Sequence, residues 1–112
     1  MKVHSIMGLG FTEKVYQDAL AIEFSERNIP FQRELSIHAS YKGNELEGTF
    51  IPDFICYDKI IVELKAVRDL DDVHRSQAIN YAKVAGYNLS ILINFGNTSL
   101  EYERFPVGKF VE

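Results

Sequence analysis

The sequence contains a single cysteine and no long apolar run. Cys56 is the only cysteine among 112 residues, which excludes an internal disulfide and a zinc site built from several cysteines. Because Cys56 lies within an apolar stretch, we expect a packed thiol rather than a nucleophile. No segment is long enough to cross a bilayer and no sustained apolar stretch follows the start, so we expect no secretory signal and a cytoplasmic protein.

An excess of basic residues is also absent. The chain has 12 Lys and Arg residues against 16 Asp and Glu residues, a formal net charge of −4. A broad, non-specific DNA-binding surface usually needs a basic face, so this composition disfavours one. Several basic or titratable residues nevertheless share one stretch, where they could form a local basic rim around an acidic pocket: Lys65, Arg68, His74, Arg75 and Lys83.

Repeats, linkers and low-complexity segments are missing as well. Apolar residues make up 46% of the chain, enough for one hydrophobic core but not two, so we expect one domain over residues 1–112. Periodicity predicts a first helix at 12–27, followed by three strands at 31–41, 45–57 and 60–66. A second helix begins between residues 69 and 72 and ends at 85, and two strands follow at 88–95 and 99–105. The expected fold class is α/β (α+β), with a three-stranded antiparallel meander flanked by two helices. His4 falls in an expected N-terminal tail.

Acidic and basic side chains meet at the end of an apolar strand in this prediction. Alternate residues of a strand share a face, so Glu63 and Lys65 of the run Ile60–Lys65 point the same way. Asp53 precedes this run, and a three-residue loop at 57–59 would place it directly opposite Glu63. Two carboxylates this close repel unless a cation lies between them, and all-oxygen ligation suits Mg²⁺ or Mn²⁺. A neighbouring lysine then stabilises phosphate-like charge.

A cross-strand salt bridge of Lys65 with Asp53 or Glu63 is the simpler alternative. Residues 60–62 are apolar on both faces, which is typical of a covered central strand. Burying charged side chains at the end of such a strand costs free energy unless another interaction compensates for it. The pattern therefore favours a metal site over a structural ion pair.

The spacing of these residues resembles the PD-(D/E)XK nuclease superfamily. In that superfamily an Asp at the end of one strand and a (D/E)-x-K on the next form the metal site, and here the residues are Pro52-Asp53 and Glu63-Leu64-Lys65. The resemblance implies a restriction-endonuclease-like αβββαβ core with one added C-terminal strand. It also implies that Asp53, Glu63 and the Leu64 carbonyl hold Mg²⁺ or Mn²⁺, with Lys65 as a catalytic residue.

More specifically, the whole chain is similar to the GxxExxY proteins, a small family grouped with these nucleases. The segments that carry this similarity, beyond the acidic residues, are Gly10–Tyr16, Tyr41–Gly43, Gln77–Tyr81 and Ile93–Gly96. In related nucleases an acidic residue of the first helix approaches the metal site, which would make Glu13 a metal ligand. The alternative is a first-turn carboxylate that the helix dipole favours. Tyr16 is interpreted as a core aromatic residue with a satisfied hydroxyl.

The second predicted helix carries polar side chains along one face. His74, Gln77 and Tyr81 are spaced at i, i+3 and i+7, and Gln77 to Tyr81 resembles the Q-x-x-x-Y element of RecB-type nucleases. That resemblance implies that Gln77 is catalytic, positioning the attacking water or a phosphate oxygen, and that Tyr81 contacts nucleic acid. The alternative is an amide and a phenol that bond to each other locally. His74 and Arg75 are further candidates for substrate contacts, although a solvated histidine near the start of a helix is common.

The function that these residues favour is metal-dependent hydrolysis of phosphodiester bonds in nucleic acid, with DNA preferred to RNA. No nucleophilic serine or cysteine is needed, because the ion carries most of the chemistry. A nuclease-fold module without catalysis, which binds a protein or nucleic-acid partner, is the alternative, since fold alone never proves activity. Homodimer formation is compatible with the small size of the chain, but no motif supports it.

Overall fold

The structure is a computed structural model that describes residues 2–107, and this range contains three helices and seven strands. The helices are α1 (Lys2–Met7), α2 (Glu13–Glu26) and α3 (Asp72–Ala85). The strands are β1 (Phe31–Arg33), β2 (Ile37–Tyr41), β3 (Asn44–Phe50), β4 (Phe54–Cys56), β5 (Ile60–Lys65), β6 (Leu89–Asn94) and β7 (Glu101–Pro106). Across these residues, no helix is long and apolar enough to span a membrane.

Five strands form one mixed sheet in the order β1-β4-β5-β6-β7. Neighbouring strands are antiparallel except for β5 and β6, which run parallel and are connected through α3. This connection is the crossover that a parallel pair requires. The predicted αβββαβ order, with one added C-terminal strand, is therefore confirmed.

The first two predicted strands, 31–41 and 45–57, are each wrong as single strands, because both are interrupted. Glu34 adopts a left-handed backbone conformation with φ of 54°, and Pro52 lacks the N–H that a central strand would donate. Beyond the break, β2 and β3 leave the main sheet and pair only with each other. We call this two-stranded element, residues 37–50, the hairpin arm. The predicted meander survives in the main sheet as β1, β4 and β5.

The pairing register is the same on the two sides of the interruption. Arg33 pairs with Phe54 in the main sheet, and Ile37 pairs with Phe50 in the hairpin arm. Between them, the N–H of Glu34 still donates to the carbonyl of Asp53 at 3.1 Å. The arm is thus a continuation of the β1–β4 hairpin that has bent away from the sheet.

Helix α1 corrects the expectation of an N-terminal tail. Val3 is buried in the core, and the His4 ring lies 3.0 Å from the Asn97 carbonyl oxygen through Nε2. A helix of six residues is too short to be stable alone or to give a clear periodic pattern, so its stability comes from packing.

The two faces of the main sheet are covered by different helices. Helices α1 and α2 cover the face whose buried side chains include Phe54, Cys56, Val62, Leu64, Ile93 and Phe95. Helix α3 packs Ala78 and Ala82 on the other face. Cys56 is buried as expected, and burial raises the pKa of its thiol to about 11. The covered strands are those that carry the acidic residues.

Candidate metal and nuclease site

The β4–β5 hairpin brings Asp53 and Glu63 together. Cys56 pairs with Ile60, so the connecting loop has the three residues expected, and Phe54 pairs with Val62. Asp53 and Glu63 are the next residues outward on each strand, and the N–H of Asp53 donates to Glu63 Oε1 at 3.1 Å. The predicted adjacency of the two acidic residues is confirmed, while their catalytic and ligand roles stay predictions.

Both carboxyl groups are held in a poorly solvated environment. Glu63 is only 7% exposed, and burial, followed by repulsion from Asp53, raises its pKa to about 8. Burial also raises the pKa of Asp53, against the opposing effects of the Leu64 N–H, Lys65 and Gln17. Because a charged pair is disfavoured here, Glu63 retains a proton near neutral pH unless a cation compensates for its charge.

Lys65 ends β5 two residues after Glu63 and is partly buried. Its positive charge lowers the pKa of Asp53 and of Glu63, although it is not the largest influence on either. Of the ion pairs within 4.0 Å that join residues 2–107, none links Lys65 to either acid. The direct salt bridge considered as the alternative is therefore not formed, and the amine acts on the pair at longer range.

The backbone that follows Lys65 is fixed to the end of β6. The N–H of Phe95 donates to the Lys65 carbonyl at 2.8 Å. The fully buried Asn94 side chain accepts from the Val67 N–H at 3.0 Å and donates to the Val67 carbonyl at 2.8 Å. A Cβ on Gly96 would lie 2.2 Å from the Val67 carbonyl oxygen, so only glycine fits there. These contacts hold the strand end that carries Glu63 and Lys65.

Sequence reasoning did not identify Gln17, which contacts Asp53 directly. Gln17 is 3% exposed on α2, and its Nε2 donates to Asp53 Oδ1 at 3.0 Å. Its Oε1 accepts from Arg33 Nε at 2.9 Å and from Lys14 Nζ at 3.4 Å. The available signal was a polar residue directly after Tyr16, which was interpreted as a core residue.

Glu13 lies exposed in the first turn of α2. Within the described part of the chain, no three His, Cys, Asp or Glu side chains form a group that could hold a metal ion. The structure thus does not bring Glu13 to Asp53 and Glu63 as a third acidic ligand. Tyr16 is a core residue as interpreted, since its hydroxyl donates to the Gly8 carbonyl at 2.6 Å and its ring stacks on Phe95.

The two polar side chains of the Q-x-x-x-Y element on α3 are hydrogen-bonded to each other. Gln77 Nε2 donates to the Tyr81 hydroxyl at 2.8 Å, and the Tyr81 ring stacks on Phe50 with 4.6 Å between centroids. The local bonding considered as the alternative is therefore present. This element joins α3 to the hairpin arm, and the substrate roles of Gln77 and Tyr81 stay predictions.

The remaining candidates on α3 also have partners within the chain. Asp71 and His74 form a capping box, in which the His74 N–H donates to Asp71 Oδ1 at 2.9 Å and the Asp71 N–H donates to His74 Nδ1 at 3.2 Å. Arg75 is bonded to Glu103 at 2.7 Å and to Asp72 at 3.0 Å. Two of the five residues expected in the basic rim, His74 and Arg75, are thus engaged in helix capping and ion pairs.

The fold agrees with comparisons to known proteins. The family model of the PD-(D/E)XK nuclease superfamily matches residues 1–105. The chain belongs to the PD-(D/E)XK nuclease superfamily, whose nucleases generally use divalent metals. Placement among the GxxExxY proteins stays a prediction.

One solved structure, described as "Crystal structure of SSO0001", is similar to the chain. The TM-score is 0.64 at 16% sequence identity, and the match covers 85% of this chain and 50% of that one. The chain thus spans half the length of that structure, and at this identity the likeness shows the fold alone. No curated protein matches the sequence.

Proposed function

We propose that this protein is a metal-dependent nuclease that hydrolyses phosphodiester bonds in nucleic acid, with DNA as the preferred substrate. The observation that carries the proposal is the close pair of the half-buried Asp53 and the buried Glu63 beside Lys65. Burial and the charge of Asp53 both raise the pKa of Glu63, so placing these two carboxyl groups together is unfavourable for stability alone. A divalent cation would relieve the repulsion between the two carboxylates. Membership of a nuclease superfamily supports a role for that cation in phosphodiester hydrolysis.

The residues present fit such a cation. Carboxylates and backbone carbonyls are the oxygen donors that Mg²⁺ and Mn²⁺ prefer. Asp53, Glu63 and the Leu64 carbonyl would hold it, and Glu13 would join only if its side chain moved to the pair. When bound, the ion lowers the pKa of a water molecule and screens the charge of the scissile phosphate.

Lys65 has a separate role in the proposal. Its charge already acts on both carboxyl groups without forming a close ion pair. It is thus available to stabilise the negative charge that develops on the phosphate as the water attacks. An interaction of this kind strengthens in the transition state, so its loss should lower turnover more than binding.

Helix α3 is the proposed side of substrate contact. Gln77 would position water or a phosphate oxygen, and Tyr81, His74 and Arg75 would contact nucleic acid. Each of these side chains has an intramolecular partner. Substrate contact would therefore exchange existing hydrogen bonds for new ones, which makes these positions weaker determinants than Asp53, Glu63 and Lys65.

A panel of labelled DNA and RNA substrates, incubated with Mg²⁺, Mn²⁺ or EDTA, tests the activity. We expect cleavage that needs the metal and that Asp53→Asn abolishes. Lys65→Ala should lose at least about 100-fold in cleavage while metal affinity changes much less. Lys59→Ala, which removes an exposed lysine of the β4–β5 loop, is the matched control and should cleave normally. Wild-type protein that leaves every substrate intact with both metals would favour the binding module instead.

Thermal unfolding tests the cation site without substrate. Mg²⁺ or Mn²⁺ should raise the melting temperature, because an ion that binds only the folded state stabilises it by mass action. Asp53→Asn should remove this shift. Asp58→Asn, in the exposed loop between β4 and β5, should retain it. An equal shift in Asp53→Asn would place the ion elsewhere.

A further inference from the structure

Gln17 is a buried side chain whose amide is hydrogen-bonded at both ends. Its Nε2 contacts Asp53 Oδ1, and its Oε1 contacts Arg33 Nε at 2.9 Å. A buried amide that lacks one of these partners is unfavourable, because the unpaired group has lost its hydrogen bonds to water. The side chain therefore has a defined orientation between α2, β1 and the strand end that carries Asp53.

Arg33 determines which end of the amide faces Asp53. Arg33 Nε and Lys14 Nζ both donate to Gln17 Oε1, and because neither can accept a hydrogen bond, only the carbonyl end of the amide can face them. Arg33 is itself partly buried, with 27% of its side chain exposed, and is paired with Asp18 on α2. The NH₂ group of Gln17 must consequently point to Asp53.

This contact completes the support of the Asp53 carboxylate. Oδ1 accepts from Gln17 at 3.0 Å, and Oδ2 accepts from the backbone N–H of Leu64 at 2.7 Å. With one donor on each oxygen, the plane of the carboxylate is fixed while further lone pairs remain for a cation. Hydrogen bonds to ligating carboxylates commonly change metal affinity by 10- to 100-fold.

We propose that Gln17 is a positioning residue that orients Asp53 for the divalent cation, and that Arg33 acts on the site through Gln17. The inference rests on the proposed function, since it requires that Asp53 ligates a metal ion. It adds two residues from α2 and β1 to a site otherwise formed by the strand ends. Neither residue is proposed to touch the ion or the substrate.

Calorimetric titration with Mn²⁺ alone tests the proposal without reference to activity. Gln17→Leu, which keeps the size but removes both hydrogen bonds, should raise the Kd for Mn²⁺ by about 10-fold or more. Arg33→Met should raise it less. The double variant should match Gln17→Leu, because residues that act in series are not additive. The melting temperature of each metal-free variant separates this effect from a merely structural one, which would lower stability without changing the Kd.

The matched control is Gln32→Leu, at an exposed glutamine that neighbours Arg33 on β1. It should bind Mn²⁺ as the wild type does. If folded Gln17→Leu has the wild-type Kd, the positioning role is overturned and the proposed function survives. If the wild type itself binds no Mn²⁺, both are overturned. Additive effects in the double variant would refute the action of Arg33 through Gln17. Should Gln17→Leu not fold, an unchanged Kd in Arg33→Met decides against the proposal.

Discussion

The hairpin arm and the β4–β5 hairpin are both antiparallel strand pairs, but their surroundings are opposite. Each turns through two successive residues with positive φ, Lys42 and Gly43 in the arm and Tyr57 and Asp58 between β4 and β5. All of β4 and most of β5 is buried, whereas no residue of β2 or β3 is. A tight turn and antiparallel pairing thus define both hairpins. Only the β4–β5 hairpin lies in the main sheet, where helices cover both faces and bury it.

The difference explains where chemistry can arise. The arm carries Glu45 and Glu47 in exposed positions, and β5 carries Glu63 in a buried one. The residue type is the same, yet burial beside Asp53 raises the pKa of Glu63 to about 8. A carboxyl group acquires unusual proton and metal affinity from its surroundings, so the buried hairpin and not the arm forms the candidate site.

The largest expected contrast is between two glycines. Gly96→Ala should destabilise the protein by about 3 kcal/mol or more, because its Cβ would meet the backbone of Val67. Gly43→Ala, at the tip of the arm, has open space around it and should cost only about 1–2 kcal/mol through its φ of 78°. Urea denaturation of both variants measures the difference. Equal losses of unfolding free energy in the two variants would mean that the backbone after β5 adjusts to an added Cβ as easily as the tip of the arm does.

The pH dependence of stability should come from the buried hairpin. The folded protein raises the pKa of Glu63 from 4.5 to about 8, so the folded state holds a proton that the unfolded state releases. Stability of the metal-free protein should therefore fall as pH rises from about 4.5 to about 8. Urea denaturation at pH 5 and pH 8 measures it.

Two glutamate variants show which carboxyl group causes the pH dependence of stability. Glu63→Gln should flatten most of the slope, leaving the smaller contribution of Asp53, whose pKa is also raised. Glu47→Gln, in the exposed arm, should leave the slope unchanged. Stability that increases over this pH range in the wild type would contradict the buried pair.

The smallest expected effect concerns the attachment of the arm to α3. Phe50 and Tyr81 stack with 26° between their planes, and such pairs contribute about 0.5–1.5 kcal/mol beyond the area that they bury. A double-mutant cycle of Phe50→Ala and Tyr81→Ala should return a coupling of that size. Simple additivity of the two substitutions would show that the arm is held by other contacts.

Local patterns predicted the acidic pair well. Strand alternation and a three-residue loop are properties of neighbouring residues, and together they place Asp53 opposite Glu63. The same holds for α3, where Asp71 caps the start and Gly86, with φ of 76°, ends the helix. In each case the information lies within about ten residues of sequence.

Contacts between distant segments were not predictable in the same way. Gln17 meets Asp53 across 36 positions of sequence, and Asn94 meets Val67 across 27. Which polar side chain enters the core depends on how α2 and β6 pack, and periodicity does not contain that information. The interruption at Pro52 had a visible signal, since proline disfavours a central strand, but alternation on both sides of it suggested continuity.

The unbroken register between the sheet and the hairpin arm has a consequence for variation in this protein. Phe54 lies opposite Val62 because of the loop at 57–59, and Arg33 pairs with Phe54 just before the arm begins. Residues added to or removed from the arm in facing pairs therefore leave Asp53 on its face of the sheet. The outer part of the arm, beyond the contact of Phe50 with Tyr81, can therefore change in length, which gives the fold a place to acquire new recognition without disturbing the strand ends.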